Sequence, residues 1–232
     1  MKIKAEKWNK VTHQGRLEFV EGEDIIQVVR SEVNNSCFSR LQYFGNNSID
    51  EDAQSRVIGT YVESPFFLEM RTNRQLGYIV WGGARSTKKS SFFIFIIQSG
   101  DYKADNLSKQ ADEYTLTLPD SLKQLPDEEY LVIKNAVIEK IKEKPTSIAE
   151  KAGKYYTMAF DYDGNFDRDN QLILAVEDLS KEKAIEVLTR VLGADTRQRA
   201  TILLYAKEHE KGENTVSTFN DIIQWKNSRN YQ

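Results

Sequence analysis

Strand-like stretches share the chain with helical steps of four as far as Gln98, and beyond it steps of three and four dominate. Asp24–Arg30 (DIIQVVR) is rich in β-branched residues and predicts a strand. After Asn34-Asn35, apolar Cys37, Leu41 and Tyr43 alternate with polar Arg40 and Gln42. That pattern predicts a half-buried strand, with Cys37 as a small buried apolar residue. The two strands could pair as a hairpin. Gly77–Ala84 (GYIVWGGA) and Ser91–Gln98 (SFFIFIIQ) predict two more strands, joined by a hairpin loop RSTKKS. The second is apolar on both faces and so belongs inside a sheet. Ala200–Ala206 (ATILLYA) predicts a last strand.

Helix signals separate these strands. Ser48 and Glu51 form a capping box, followed by Ala53, Val57 and Tyr61 at intervals of four. Ser64-Pro65 predicts a break: Ser64 as cap, Pro65 as first residue of a short helix reaching about Arg74. Ala104, Leu107, Ala111, Tyr114 and Leu118 form one apolar stripe, and Pro126 opens the next helix with Tyr130, Ile133, Val137 and Ile141. A second capping box, Ser147 and Glu150, precedes Ala152, Tyr155 and Ala159. Asp163-Gly164 predicts a turn, and a short helix follows Asp169. Ser180 caps a helix that ends at Gly193 as a left-handed cap, and Thr218–Lys226 predicts a final short helix. Hairpins followed by a block of helices make the fold class α+β: a mixed, largely antiparallel sheet with helices packed on one face. Residues 1–14 are polar and aperiodic, a tail or linker, which leaves 15–232 as a single α/β domain.

Composition narrows the function. Net charge is −3, with 32 basic and 35 acidic residues, so the basic excess of a nucleic-acid-binding module is missing. No run approaches 18 uncharged apolar residues, so no membrane span is predicted, and MKIKAEKWNK leads into no apolar run of a signal peptide. One cysteine excludes an internal disulfide.

Catalytic motifs are equally scarce. The two histidines, His13 and His209, sit in polar runs without a histidine neighbour and read as solvated, so no H-x-x-E-H or H-E-x-x-H zinc site is written here. Asp161–Asn170 (DYDGNFDRDN) resembles a calcium loop, but with Asp161 first the twelfth residue is Leu172, not the bidentate Glu such loops use. It reads as a turn and a helix cap. No nucleophile elbow and no phosphate-binding glycine loop is present, and Gly82-Gly83 leads into no helix. No pair of carboxylates stands out. The segment Arg71–Tyr78 remains, at a junction from helix to strand. There an Arg fork could hold a carbonyl and a Tyr hydroxyl could donate to an oxyanion. The same residues equally suit a helix C-terminus and a strand.

That segment also carries a resemblance. Leu68–Val80 (LEMRTNRQLGYIV) resembles the R-T-x-x-Q-L-G-Y-x-V signature in the C-terminal half of insulinase/pitrilysin-type zinc peptidases. Phe95–Ser99 (FIIQS) and Asn165–Asn170 (NFDRDN) resemble two later segments at about family spacing, so the resemblance spans roughly residues 20–228. It implies the metallopeptidase-half architecture (LuxS/processing-peptidase-like) and the last of four domains closing around a chamber. The inverted zinc motif and its zinc would lie in the N-terminal catalytic half of the same protein, with no cofactor in this chain. Carried over by position, Arg71 would grip a substrate carbonyl and Tyr78 would support the carbonyl or tetrahedral oxyanion. Partners would be that catalytic half and peptide substrates, with no nucleic acid and no membrane. The resemblance leaves the compartment open between cytosol and periplasm. By itself the chain would bind no stoichiometric zinc and cleave nothing. The alternative reading is a stand-alone interaction or assembly module of the same fold, from a parent that has lost peptidase activity. An independent carboxylate enzyme is a third.

Overall fold

The computed structural model describes residues 20–87, 90–212 and 215–229. The tail expected over 1–14, with His13, lies outside them, as do two residues of the RSTKKS loop. Five strands form one mixed sheet: β1 (Asp24–Arg30), β2 (Ser36–Asn46), β3 (Ile79–Ser86), β4 (Ser90–Ser99) and β5 (Arg199–Tyr205), in the order β1-β5-β2-β4-β3. β3 and β4 are an antiparallel hairpin, β4 pairs antiparallel with β2, and β2 with β5. The expected β1–β2 hairpin does not form. β5 inserts between them, parallel to β1 with Ile26 opposite Thr201, and antiparallel to β2 with Phe38 opposite Leu203.

Burial inverts the reading of β2. Phe38, Arg40, Gln42 and Phe44 point into the helix-covered core, while Cys37, Leu41 and Tyr43 are only half-buried on the other face. Polar residues are tolerated inside because each finds partners. Gln42 donates to the Val191 carbonyl. Arg40, 2% exposed, donates to Asp112, to Ser108 Oγ at 3.0 Å and to Thr201 Oγ1 at 3.1 Å. Arg199 completes the cluster, 2.6 Å from Asp112 and 2.5 Å from Asp24. Two cations thus share two carboxylates beneath the sheet.

Helix α1 (Ile49–Phe67) starts at the Ser48 cap as expected, but runs straight through Pro65. Proline inside a helix costs about 3 kcal/mol. Tyr61, Val62, Phe66 and Met70 are all buried along this stretch. At roughly 1.5–3 kcal/mol for each buried large apolar side chain, that packing outweighs the break. A π-helical turn (Leu68–Asn73) follows instead of a new helix. The stripe expected from Ala104 to Leu118 is shared by α2 (Ala104–Thr115) and α3 (Leu118–Gln124), because Pro119 cannot continue the first ladder. α4 (Asp127–Lys142) begins just after Pro126, and α5 (Ile148–Phe160) begins at the Ser147 cap.

On α5 only Met158 is buried; Ala152 and Tyr155 are exposed and Ala159 half-buried, so this apolar spacing does not mark a buried face. The Asp163-Gly164 turn is present, with both residues at positive φ. α6 (Arg168–Asp178) is tied to α1 by Arg168, which sits 2.9 Å from the fully buried Asp52 and over the Tyr162 ring. α7 (Lys181–Leu192) is capped by Ser180, but Gly193 is not left-handed: φ is −58°. Glycine fits there for space, since a Cβ would lie 2.8 Å from the Thr189 carbonyl. The last helix, α8 (Ile222–Asn227), is shorter than predicted. Thr218 instead hydrogen-bonds both backbone groups of Ile26 along β1. The apolar core lies between the sheet and α1, α2, α3, α4, α6 and α7. No helix among the described residues is long and apolar enough to cross a membrane.

Candidate functional site

Arg71 lies in the last turn of the π-helical segment, and Tyr78 directly precedes β3. The wide turn closes with the Arg74 amide donating to the Glu69 carbonyl at 2.9 Å, five residues back. The Leu76 amide donates to the Met70 carbonyl, also at 2.9 Å. Gln75 takes a left-handed conformation, φ 52°, which lets the chain reverse toward the strand. Met70 and Leu76 anchor the loop in the core. Gly77 lies so close to β4 that a Cβ would stand 2.0 Å from the Gln98 carbonyl.

On this base the two predicted residues come together. Arg71 Nη1 donates to the Gly77 carbonyl at 2.9 Å, and its guanidinium lies 4.8 Å from the centroid of the Tyr78 ring. Tyr78 is 83% exposed, and Phe67, Leu68 and Ile79 in the flanking sequence are about half exposed. The arrangement can present a guanidinium and a phenol side by side to a ligand outside the domain, with the backbone beneath held by its own hydrogen bonds.

Sequence reasoning missed the side chains that support this strip. Arg74 Nε donates to Glu69 Oε1 at 2.8 Å, and Arg74 Nη1 donates to Gln110 Oε1 at 2.6 Å on α2. Asn73 donates to the other Glu69 oxygen at 2.8 Å. The Arg74 hydrogen bond, then that of Asn73, holds the Glu69 carboxyl below its ordinary range. The missed signal is the spacing. Opposite charges five apart do not meet on an α-helix but do in a π-turn.

No group of three His, Cys, Asp or Glu among the described residues stands where it could hold a metal. His209 is half-buried rather than solvated, with Nδ1 2.8 Å from Ser36 Oγ. Cys37 has burial raising its thiol pKa, against the activation a nucleophile needs. The donor set of the described residues does not fit a zinc ion.

Comparison with known proteins finds relatives for most of the chain. Residues 57–156 match the family described as PQQ synthase PqqF-like, C-terminal lobe domain 4. Human insulin-degrading enzyme is 26% identical over 182 residues, covering 78% of this chain and 18% of that enzyme. The chain therefore spans less than a fifth of such a relative's length. Pitrilysin superposes with a TM-score of 0.79 at 18% identity, over 94% of this chain and 24% of pitrilysin. An inactive peptidase domain from Pseudomonas fluorescens superposes with a TM-score of 0.62 at 15% identity, over 84% of this chain and 47% of that one. By sequence and by fold the chain is a homologue of the C-terminal domains of the insulinase/pitrilysin peptidases.

Proposed function

We propose that this chain is the substrate-binding, non-catalytic domain of a longer zinc-dependent endopeptidase that degrades peptides. The observation that carries the reading is the half-buried Arg71 beside the exposed Tyr78, on a hydrogen-bonded base in a segment resembling the family signature. Arg71 offers the remaining arms of its guanidinium to a substrate carbonyl. Tyr78 offers its hydroxyl to the same carbonyl as it becomes a tetrahedral oxyanion. Such donors act most strongly when they are already in place before charge develops, and the short loop from Met70 to Gly77 supplies that rigidity. The zinc would activate water in the catalytic half, a separate domain. This chain's part is to bind the peptide and close the chamber. The half-exposed Phe67, Leu68 and Ile79 would form the apolar rim against substrate or the catalytic half.

The test is kinetic, in the longer parent protein. Tyr78→Phe removes one donor and should lower kcat/KM by roughly 10–1,000-fold, mostly in kcat; Arg71→Ala should lower it too. Unchanged kinetics in both variants would remove the proposed roles.

A further inference from the structure

We infer that Arg74 is a positioning residue for the Arg71–Tyr78 strip, acting through Glu69 on one side and Gln110 on the other. The inference rests on the substrate-contacting reading of Arg71 and Tyr78. The polar contacts of Arg74 are with Glu69, Gln110 and Glu113. Its guanidinium spans two elements: Nε reaches Glu69 at 2.8 Å inside the π-helical turn, and Nη1 reaches Gln110 at 2.6 Å on α2, with Glu113 at 3.6 Å. Arg74 and Glu69 are each about one-quarter exposed, so the brace lies at the edge of the core rather than in open solvent.

Backbone geometry makes a brace necessary here. A π-turn is rare and seldom longer than one turn. The next residue, Gln75, is held at φ 52°, a conformation that costs a non-glycine side chain energy and persists only when its surroundings over-determine it. The strip begins and ends within four residues of this point. Arg74 cross-links the start of the turn, at Glu69, to a helix packed on the sheet. The Asn73 amide on the second Glu69 oxygen leaves that carboxylate a single orientation. Loss of Arg74 would release the α2 anchor and leave Glu69 held by Asn73 alone. Arg71 would then lose its fixed distance to Gly77, and Tyr78 the cation that orients its ring.

Amide exchange on the 232-residue chain provides a readout separate from general stability. In Arg74→Met, the Leu76 amide, which bonds to Met70 across the turn, should exchange at least roughly 10-fold faster through local opening. The Ile97 amide in β4 should be unchanged. Arg74→Lys reaches only one partner at a time and should recover part of the protection; Glu69→Gln should lie between Lys and Met. Unchanged Leu76 exchange in Arg74→Met overturns the inference, as does equal acceleration at Leu76 and Ile97, which would mark a general structural role. In the longer parent, Arg74→Met should lower kcat by roughly 10–100-fold, the cost of misplacing a group by about 1 Å, with little change in KM. A loss in Tyr78→Phe without one in Arg74→Met sinks this inference alone. Silence in Tyr78→Phe and Arg71→Ala together sinks the functional reading as well.

Discussion

Asp112 is the residue on which the polar core turns. Burial alone would raise its pKa, but the guanidiniums of Arg40 and Arg199 on either side overcome that and hold it below the ordinary carboxylate range. Burial and the like charge of Arg199 push Arg40 down to about 10, still well above neutrality. Both cations therefore stay charged and need the carboxylate. Asp112→Ala should destabilise the fold by roughly 2–3 kcal/mol, under the 3–5 or so of a fully enclosed pair because the carboxylate keeps some solvent. Urea denaturation measures this. The sign of the pH effect follows from the lowered pKa. The contribution is complete above the unfolded value of about 3.9 and fades as pH falls through the folded one. The wild type should therefore lose more stability below about pH 4 than Asp112→Ala does. None of this was legible beforehand: Arg40 and Gln42 sit in β2 where alternation assigns them to solvent, and their partners come from residues far away in sequence.

At the scale of elements, the signals that held were local. Ser48, Ser147 and Ser180 each cap the helix they precede, because a cap depends on atoms three residues away. Pro65 misled because its local cost competes with burial of distant surface. α5 misled differently: its apolar stripe exists, but Ile148, Tyr155, Tyr156 and Phe160 face outward. A helix of 13 residues is marginal in water without packing. Its amides should exchange much faster than those of α1 when the chain is studied alone, and Ser147→Ala should weaken it further by about 1 kcal/mol. Protection of α5 equal to that of α1 would contradict this account.

Across the whole molecule, β5 is the closing piece. It arrives after the helical block and supplies the strand neighbours of both β1 and β2, along with Arg199 between Asp24 and Asp112. A chain ending before Arg199 should lack a cooperative thermal transition, and a retained sharp transition would show that the other strands suffice. The sequence by itself determined the element types, most of their boundaries, the α+β class and the helix-to-strand junction at Arg71–Tyr78, since helical and strand periods, caps and a contiguous motif are all written within a few residues. Only the tertiary structure decided the order of strands, which face of β2 is inside, the outward aspect of α5 and the Arg74 brace under the strip. Each of these depends on pairings between segments distant in sequence, where burial and charge compensation outweigh local preference.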